Sequence, residues 1–320
     1  MTPFPEKGLT LQTVTAQALR MVRPHTGKHL PLLSLIEPHV QHYNTRLYSF
    51  GSGSSGNCYY LWHRGCGLLM DAGIGLRLLK KHFHTYGLSF ADVCGILVTH
   101  DHTDHVKSVG ALATTLHLPV YTSAEVHAGM GKNRFMAKKV RPEERHTCKP
   151  EACWQMGCFE ITPFAVPHDS SGNNGYLIRF GGESLCLATD IGEVTSTMGY
   201  YLAQARNLII EANYDPGMLE AGPYPARLKH RISSGTGHLS NKGTGAAIAA
   251  YGAKDLQRVW LCHLSEENNR PELARATVQQ MLEASGRRVG NDAGIHLHVL
   301  RRKVPDFFEW QAPDARQPLT

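Results

Sequence analysis

The chain has 320 residues, of which 42% are hydrophobic and 19% charged, a composition typical of a globular protein in water with a large core. The net charge of +6 is compatible with an anionic partner but does not by itself indicate one. No apolar run approaches the ~20 residues of a membrane span, so no membrane partner is expected. The eight cysteines include no Cys-x-x-Cys pair, which favours reduced thiols and a cytoplasmic location.

Residues 1–44 have no compact apolar segment of the kind found in a secretory signal. Two interpretations remain open for this extension, namely a basic arm that touches substrate and a loosely ordered terminus. The second is favoured because termini that are not tied into a core are usually loose. We therefore expect the folded domain to span 45–304, with a C-terminal tail over 305–320.

Two strand-like runs, 46–50 and 58–62, flank a segment rich in glycine and serine. Such a segment forms a turn easily, but it also exposes backbone N–H groups that can cradle a phosphate. Ser54 and Asn57 are therefore candidate substrate contacts. The segment lacks the lysine of a P-loop, which argues against a nucleoside triphosphate site.

The next predicted strand, 67–71, ends in Asp71, a carboxylate that could orient a metal-ligating imidazole. A helix is predicted over 76–86 and a strand over 94–98. Strands and helices therefore alternate, which indicates an α/β protein.

The strand over 94–98 leads directly into the sequence His-x-His-x-Asp-His at residues 100–105. Imidazole nitrogen and carboxylate oxygen suit zinc and neighbouring divalent metals. His100 and His102 can hold one ion, while Asp104 and His105 can hold a second. The alternative, a solvated loop that happens to be rich in histidine, is disfavoured by the motif's specificity.

Three later predicted strands also end in metal-binding residue types, which are His168, Asp190 and His263. Asp190 is a candidate bridge because one carboxylate can give an oxygen to each of two ions. The predicted ligand sets are His100, His102 and His168 for the first ion, Asp104, His105 and His263 for the second, and Asp190 for both. Ligands placed at strand ends are held rigidly, as metal geometry requires.

Two further segments offer less specific signals. Residues 215–232 are predicted to be irregular and carry four basic side chains, Arg227, Lys229, His230 and Arg231, which form either a solvated face or a surface for an anionic substrate. Cys148, Cys153 and Cys158 recur every five residues, but a structural zinc would need closer cysteine pairs.

The heptad 99–105 resembles the signature motif of the metallo-β-lactamase fold superfamily. A narrower resemblance, to the YycJ/WalJ family, extends over roughly residues 46–300. It rests on six segments, which are 52–57, 166–171, 188–192, 211–215, 237–241 and 262–269. That resemblance implies a four-layer αββα sandwich and 5′→3′ exonuclease activity on DNA. Glu211 and His238 are similar to an acid and a histidine that assist phosphodiester cleavage in the RNase Z branch.

The predicted function is a metal-dependent phosphodiesterase in which two Zn²⁺ or Mn²⁺ ions activate a hydroxide. Two ions, two aspartates and the hydroxide leave a local charge of about +1, which would attract one phosphate. The predicted catalytic residues are Asp104, Asp190, Glu211 and His238, and further substrate contacts are Lys229, Arg231, Ser265, Asn268 and Asn269. DNA is expected in preference to RNA as the partner. A lactone or thioester hydrolase on the same two ions is the alternative, because fold alone does not fix function.

Overall fold

The computed structural model describes residues 43–290 and 294–312, which contain two seven-stranded sheets. The first sheet consists of β1 (Tyr43–Gly51), β2 (Cys58–His63), β3 (Cys66–Met70), β4 (Val93–Leu97), β5 (Val120–Thr122), β6 (Arg145–Thr147) and β14 (Asp306–Ala312). The second consists of β7 (Trp154–Met156), β8 (Phe159–Ala165), β9 (Asn174–Phe180), β10 (Glu183–Ala188), β11 (Asn207–Glu211), β12 (Arg258–Cys262) and β13 (His296–Val299). The strand orders are β14-β1-β2-β3-β4-β5-β6 and β13-β12-β11-β10-β9-β8-β7.

The helices of the described residues are α1 (Leu76–Thr85), α2 (Thr103–Val106), α3 (Val109–Leu116), α4 (Ala124–Lys132), α5 (Ser196–Leu202), α6 (Pro216–Ala221), α7 (Ala226–Ser233), α8 (Asn241–Tyr251) and α9 (Pro271–Ala284). None of these helices has the length and hydropathy needed to cross a membrane.

Alternate side chains of the strands enter different cores, because successive residues of a strand point to opposite faces. Leu61 of β2 and Ile209 of β11 lie in one cluster between the two sheets. Tyr60 of β2 packs instead beneath α1, α3 and α4, and Ile210 of β11 packs beneath α5, α8 and α9. Helices therefore cover the outer face of each sheet, which confirms the predicted αββα sandwich.

The direction of the parallel strands determines where a ligand-binding site can form. Strands β3 to β6 run parallel in the first sheet, and β10 to β13 run parallel in the second. The carboxyl ends of parallel strands meet at one edge of a sheet, and crevices outside that edge commonly hold ligands. The predicted ligands follow β4, β10 and β12 at this edge.

The structure corrects two sequence predictions. The prediction of a tail from residue 305 is wrong for 306–312, because these residues form β14 and pair with β1 from Ser49 to Tyr43. Residues 215–232 are not irregular, since they form α6 and most of α7. The extension 1–42 and residues 313–320 lie outside the described residues.

Candidate metal centre

The candidate site lies where strand ends of both sheets converge. Asp71 follows β3, residues 100–105 follow β4, and His168 follows β8 after two intervening residues. Asp190 and His263 follow β10 and β12, and Glu211 is the last residue of β11. Side chains that are up to 192 positions apart in the sequence therefore meet at one place.

Three of these strand ends have unusual backbone conformations. Asp71, Asp190 and His263 have φ angles of 58°, 55° and 54°, in the left-handed region that non-glycine residues rarely occupy. Local contacts hold them there, since Asn173 donates to the carbonyl oxygen of Asp190 and Asn213 to that of His263. Strain of this kind is kept where the surrounding structure fixes it, and it concentrates at functional sites.

The structure brings all seven predicted metal ligands together. The ligand atoms of His100, His102 and His168 lie within 4.8 Å of one another, and so do those of Asp104, His105 and His263. Asp190 lies between the two sets, with one carboxylate oxygen 3.2 Å from His105 Nε2 and the other 3.7 Å from His168 Nε2. This is the arrangement that the sequence predicts for two ions sharing one carboxylate.

In four of these histidines, the ring nitrogen Nδ1 contacts a polar group of the protein. Nδ1 of His105 lies 2.7 Å from the Asp71 carboxylate, and Nδ1 of His168 lies 2.9 Å from the carbonyl oxygen of Gly237. The Nδ1 atoms of His100 and His263 contact the Thr99 hydroxyl and Glu211 at 3.0 and 2.9 Å. Partners of this kind fix the ring orientation of metal-ligating histidines.

The Nε2 atoms show that these residues fit divalent cations. Within the described part of the chain, Nε2 of His100, His168 and His263 is buried and has no hydrogen-bond partner. A buried polar atom without a partner costs about 1–3 kcal/mol, so three in one cluster call for an explanation. Cations bound to these nitrogens would satisfy them.

The protonation of the site depends on its carboxylates. Burial lowers the pKa of His100 and of His168. Burial also opposes charge on His105, but the carboxylates of Asp190, Asp71 and Asp104 outweigh it and raise the pKa of His105 to about 10. The pKa of His263 is likewise raised, because Asp190, Asp104 and Glu211 outweigh its burial.

Metal binding should therefore release protons at neutral pH. His105 and His263 carry protons below their raised pKa values when no cation is bound, and a metal ligand must be neutral imidazole. We expect roughly one to two protons released at pH 7 and a Zn²⁺ affinity that rises with pH. Titration calorimetry in two buffers of different ionisation enthalpy measures this number, and a value of zero would contradict the assignment.

The buried contacts of Glu211 suit the positioning of neighbouring histidines. Its carboxylate is fully buried and accepts hydrogen bonds from the backbone N–H groups of Ile191 and Leu239. Its other oxygen lies 2.8 Å from His238 Nδ1 and 2.9 Å from His263 Nδ1. With these partners in place, Glu211 has no access to substrate.

His238 is suited to proton transfer. Its side chain is 20% exposed, and Glu211 occupies Nδ1, so Nε2 is the nitrogen left for substrate. Burial opposes charge on this ring, but Glu211 and Asp190 raise the pKa of His238 above its ordinary value.

The predicted substrate contacts divide into two groups. Ser54, Lys229, Arg231 and Ser265 are exposed or partly exposed at loops and on α7. Arg231 pairs with Asp169, which adjoins His168. Asn57, Asn268 and Asn269 are buried, which makes them poor candidates for substrate contacts.

The buried amides support the loops of the site. Asn57 donates to the carbonyl oxygen of Gly53, and its amide nitrogen lies 2.8 Å from Nε2 of His105. Asn269 donates to the carbonyl oxygens of Ala212 and Asn213. A polar residue in a loop motif can contact substrate or support the loop, and its burial in the structure distinguishes these two roles.

Two residues that support the site, Thr99 and Arg302, were not predicted from the sequence. The hydroxyl of Thr99 contacts Asp71, His100 and His105, so it joins three members of the site. Arg302 lies three residues after β13 and beside the glycine- and serine-rich loop, and it donates to the carbonyl oxygen of Ser265. The basic triplet at 301–303 was the available signal for Arg302.

Gly73 permits the close approach of two loops in the site. A Cβ atom at this position would lie 1.6 Å from the carbonyl oxygen of Asp104, which is far inside van der Waals contact. We expect Gly73→Ala to displace the backbone that carries Asp104 and His105 and thereby lower the metal content. Elemental analysis measures this, and Gly75→Ala, where a Cβ meets nothing within 4 Å, is the matched control. Normal metal content in Gly73→Ala would show that the loops are less constrained than these contacts indicate.

The comparisons with known proteins agree with this geometry. The profile of the β-lactamase superfamily domain matches residues 67–264, and the chain belongs to this superfamily of metal-dependent hydrolases. Within it, the chain belongs to the YycJ/WalJ family. It is 34% identical to exodeoxyribonuclease YycJ of Bacillus anthracis over 245 residues, which are 77% of this chain and 92% of that protein. It is also 34% identical to exodeoxyribonuclease WalJ of Streptococcus pneumoniae serotype 2 over 270 residues, 84% of this chain and 95% of that protein.

Solved structures share the fold at lower identity. The metallo-β-lactamase fold protein YhfI from Bacillus subtilis has a TM-score of 0.60 at 17% identity, covering 84% of this chain and 99% of that one. Zn²⁺-bound PqqB from Methylobacterium extorquens has a TM-score of 0.59 at 17% identity, covering 81% and 99%. These likenesses establish the architecture alone.

Proposed function

We propose that this protein is a phosphodiesterase that degrades DNA from its 5′ ends with the help of two divalent metal ions. The observation that carries the proposal is the Glu211–His238 pair, which stands beside seven converging metal ligands with its imidazole 2.8 Å from the carboxylate. Relatives named as exodeoxyribonucleases support DNA as the substrate.

The residues that would hold the metal ions are those of the two converging sets, with Asp190 between them. Bound there, Zn²⁺ or Mn²⁺ ions would supply Lewis acidity and lower the pKa of water to ~7.

The chain's own residues supply proton transfer and electrostatic attraction. His238 carries the proton that the leaving oxygen needs, and Glu211 holds the ring so that Nε2 faces the substrate. Lys229 and Arg302 contribute positive charge for the neighbouring phosphates. The charge of Arg231 is compensated by Asp169, and this ion pair lies beside His168.

The test uses end-labelled DNA and RNA, single-stranded and double-stranded, with protein reconstituted with Zn²⁺ or Mn²⁺. We expect a DNA strand labelled at its 5′ end to lose its label as mononucleotide early, while a 3′ label stays on progressively shorter fragments. Release of the 3′ label first would reverse the proposed direction, and preference for RNA would change the substrate.

Salt dependence separates this proposal from a small-molecule hydrolase. Binding of DNA should weaken steeply as salt rises, because phosphate contacts release counterions, whereas binding of a neutral lactone should not. Hydrolysis of a lactone or thioester without any cleavage of DNA would overturn the proposal. A cytoplasmic location stays a prediction.

A further inference from the structure

A basic segment beside the metal centre exposes the most accessible large hydrophobic side chain among the described residues. Phe135 is 75% exposed, and the segment 131–142 around it contains five lysine or arginine residues and no acid. An exposed aromatic ring among cations is the combination with which proteins bind single-stranded nucleic acid, since the ring stacks on a base and the cations contact the backbone.

The segment borders the heptad that carries predicted metal ligands. A cavity of 390 Å³ is lined by Asp101, His102 and Thr103 of the heptad and by Lys132, Arg134 and Phe135 of the segment. Its volume falls within the ~300–1,000 Å³ of typical small-ligand pockets. Because His102 belongs to the predicted ligand set of the first ion, a nucleotide in this groove would adjoin the phosphate that is cleaved.

The loop that carries Phe135 is fixed in place. Asn133 donates to the carbonyl oxygen of Asp101 at 2.8 Å and to the Thr103 hydroxyl at 3.3 Å, which ties the loop to the metal-binding heptad. The N–H of Phe135 donates to the same Asn133 side chain at 2.9 Å. Met136, the next residue in the chain, is buried in the core. The ring is therefore presented by an ordered loop and need not be ordered on binding.

Three of the five cations of the segment are available to a ligand. The other two are engaged, since Lys139 donates to the carbonyl oxygen of Met130 and Arg141 pairs with Glu143 and Glu144. Among the described residues, no acidic side chain forms an ion pair with Lys132, Arg134 or Lys138, although all three are exposed. Their charge is complementary to a polyanion.

From these contacts, the geometry points to a stacking site for single-stranded DNA, in which Phe135 holds the base of a nucleotide next to the cleaved phosphate while Lys132 and Arg134 contact the backbone. This inference rests on the proposed function and specifies how the nucleotide next to the cleaved phosphate is held. Stacking is tolerant of sequence because every base has a π face.

The test compares Phe135→Ala with Phe135→Trp on single-stranded DNA. We expect KM to rise roughly 5- to 100-fold in the alanine variant, in line with the loss of one stacked base, and to stay near the wild-type value in the tryptophan variant. Tyr200→Ala is the matched control, because Tyr200 is 65% exposed and does not line the groove. Phe135 is exposed, so its removal leaves the core intact.

An abasic substrate locates the stacked base. A series of DNA strands is prepared, each lacking one base at a different position from the end. For the wild type, KM should rise with the strand that lacks the stacked base and not with the others. For Phe135→Ala, the absence of that base should cause no further rise in KM. A 2-aminopurine placed at that position, in a strand whose terminal linkage is an uncleavable methylphosphonate, should be quenched by the wild type and not by Phe135→Ala.

Two negative results are distinguishable. A wild-type protein that does not cleave DNA would remove the proposed function itself. A wild type that cleaves DNA while Phe135→Ala keeps its KM and its quenching would overturn the stacking site alone, and would leave Phe135 as a contact for another kind of partner.

Discussion

Replacing His238 by alanine should lower kcat for DNA cleavage by ~10²–10⁴, the usual contribution of a general acid. The reason is geometric, because Glu211 holds Nδ1 of His238 at 2.8 Å and leaves Nε2 as the proton donor to the leaving oxygen. Steady-state kinetics measure kcat, and elemental analysis of the same sample must show unchanged metal content. His84→Ala is the matched control, since His84 is an exposed histidine on α1.

The pH profile separates a proton donor from a structural histidine. A general acid acts only while protonated, so activity should fall as pH rises through the pKa of His238, which Glu211 raises. Glu211→Gln removes that carboxylate and should move this falling limb to lower pH. Full turnover in His238→Ala with normal metal content would exclude the role.

Asp190→Asn should reduce both metal affinity and DNA cleavage by at least ~10²-fold, because even residues that only orient a metal ligand cost 10- to 100-fold when changed. The Asp190 carboxylate lies 3.2 Å from His105 Nε2 of one ligand set and 3.7 Å from His168 Nε2 of the other. The pKa of Asp190 is held well below its ordinary value, since the histidines around it outweigh its burial. It therefore stays ionised.

Asp101→Asn provides the control for metal content. Asp101 belongs to the same heptad, but its carboxylate accepts hydrogen bonds from the backbone N–H and the hydroxyl of Ser171. We expect Asp101→Asn to retain both ions under conditions in which Asp190→Asn loses at least one. Equal metal content in the two variants would remove Asp190 from its bridging position.

The convergence of the candidate ligands could be predicted from the sequence, because the strands that precede them are recognisable by their apolar runs. His168, Asp190 and His263 come after such runs, and the edge where parallel strands end brings them together. The contact between Glu211 and His263 was not predictable, because it depends on how β11 and β12 pair.

The helices over 216–233 were missed for a definite physical reason. Prolines at 216, 223 and 225 favour an irregular segment, but proline is also well tolerated in the first turn of a helix. Pro216 stands there in α6, after Asp215 caps the helix by accepting from the N–H of Met218. The pairing of β14 with β1 joins residues more than 250 positions apart, and no local pattern in the sequence indicates such a partner.

The dependence of DNA cleavage on bound metal tests the central claim most directly. Metal-free protein is titrated with Mn²⁺ or Zn²⁺, and bound ions per chain and the rate of cleavage of end-labelled DNA are measured in the same samples. The account predicts no cleavage without metal and a rise to full activity as the second ion per chain binds. Full activity in metal-free protein, or saturation of binding and activity at a single ion, would contradict it.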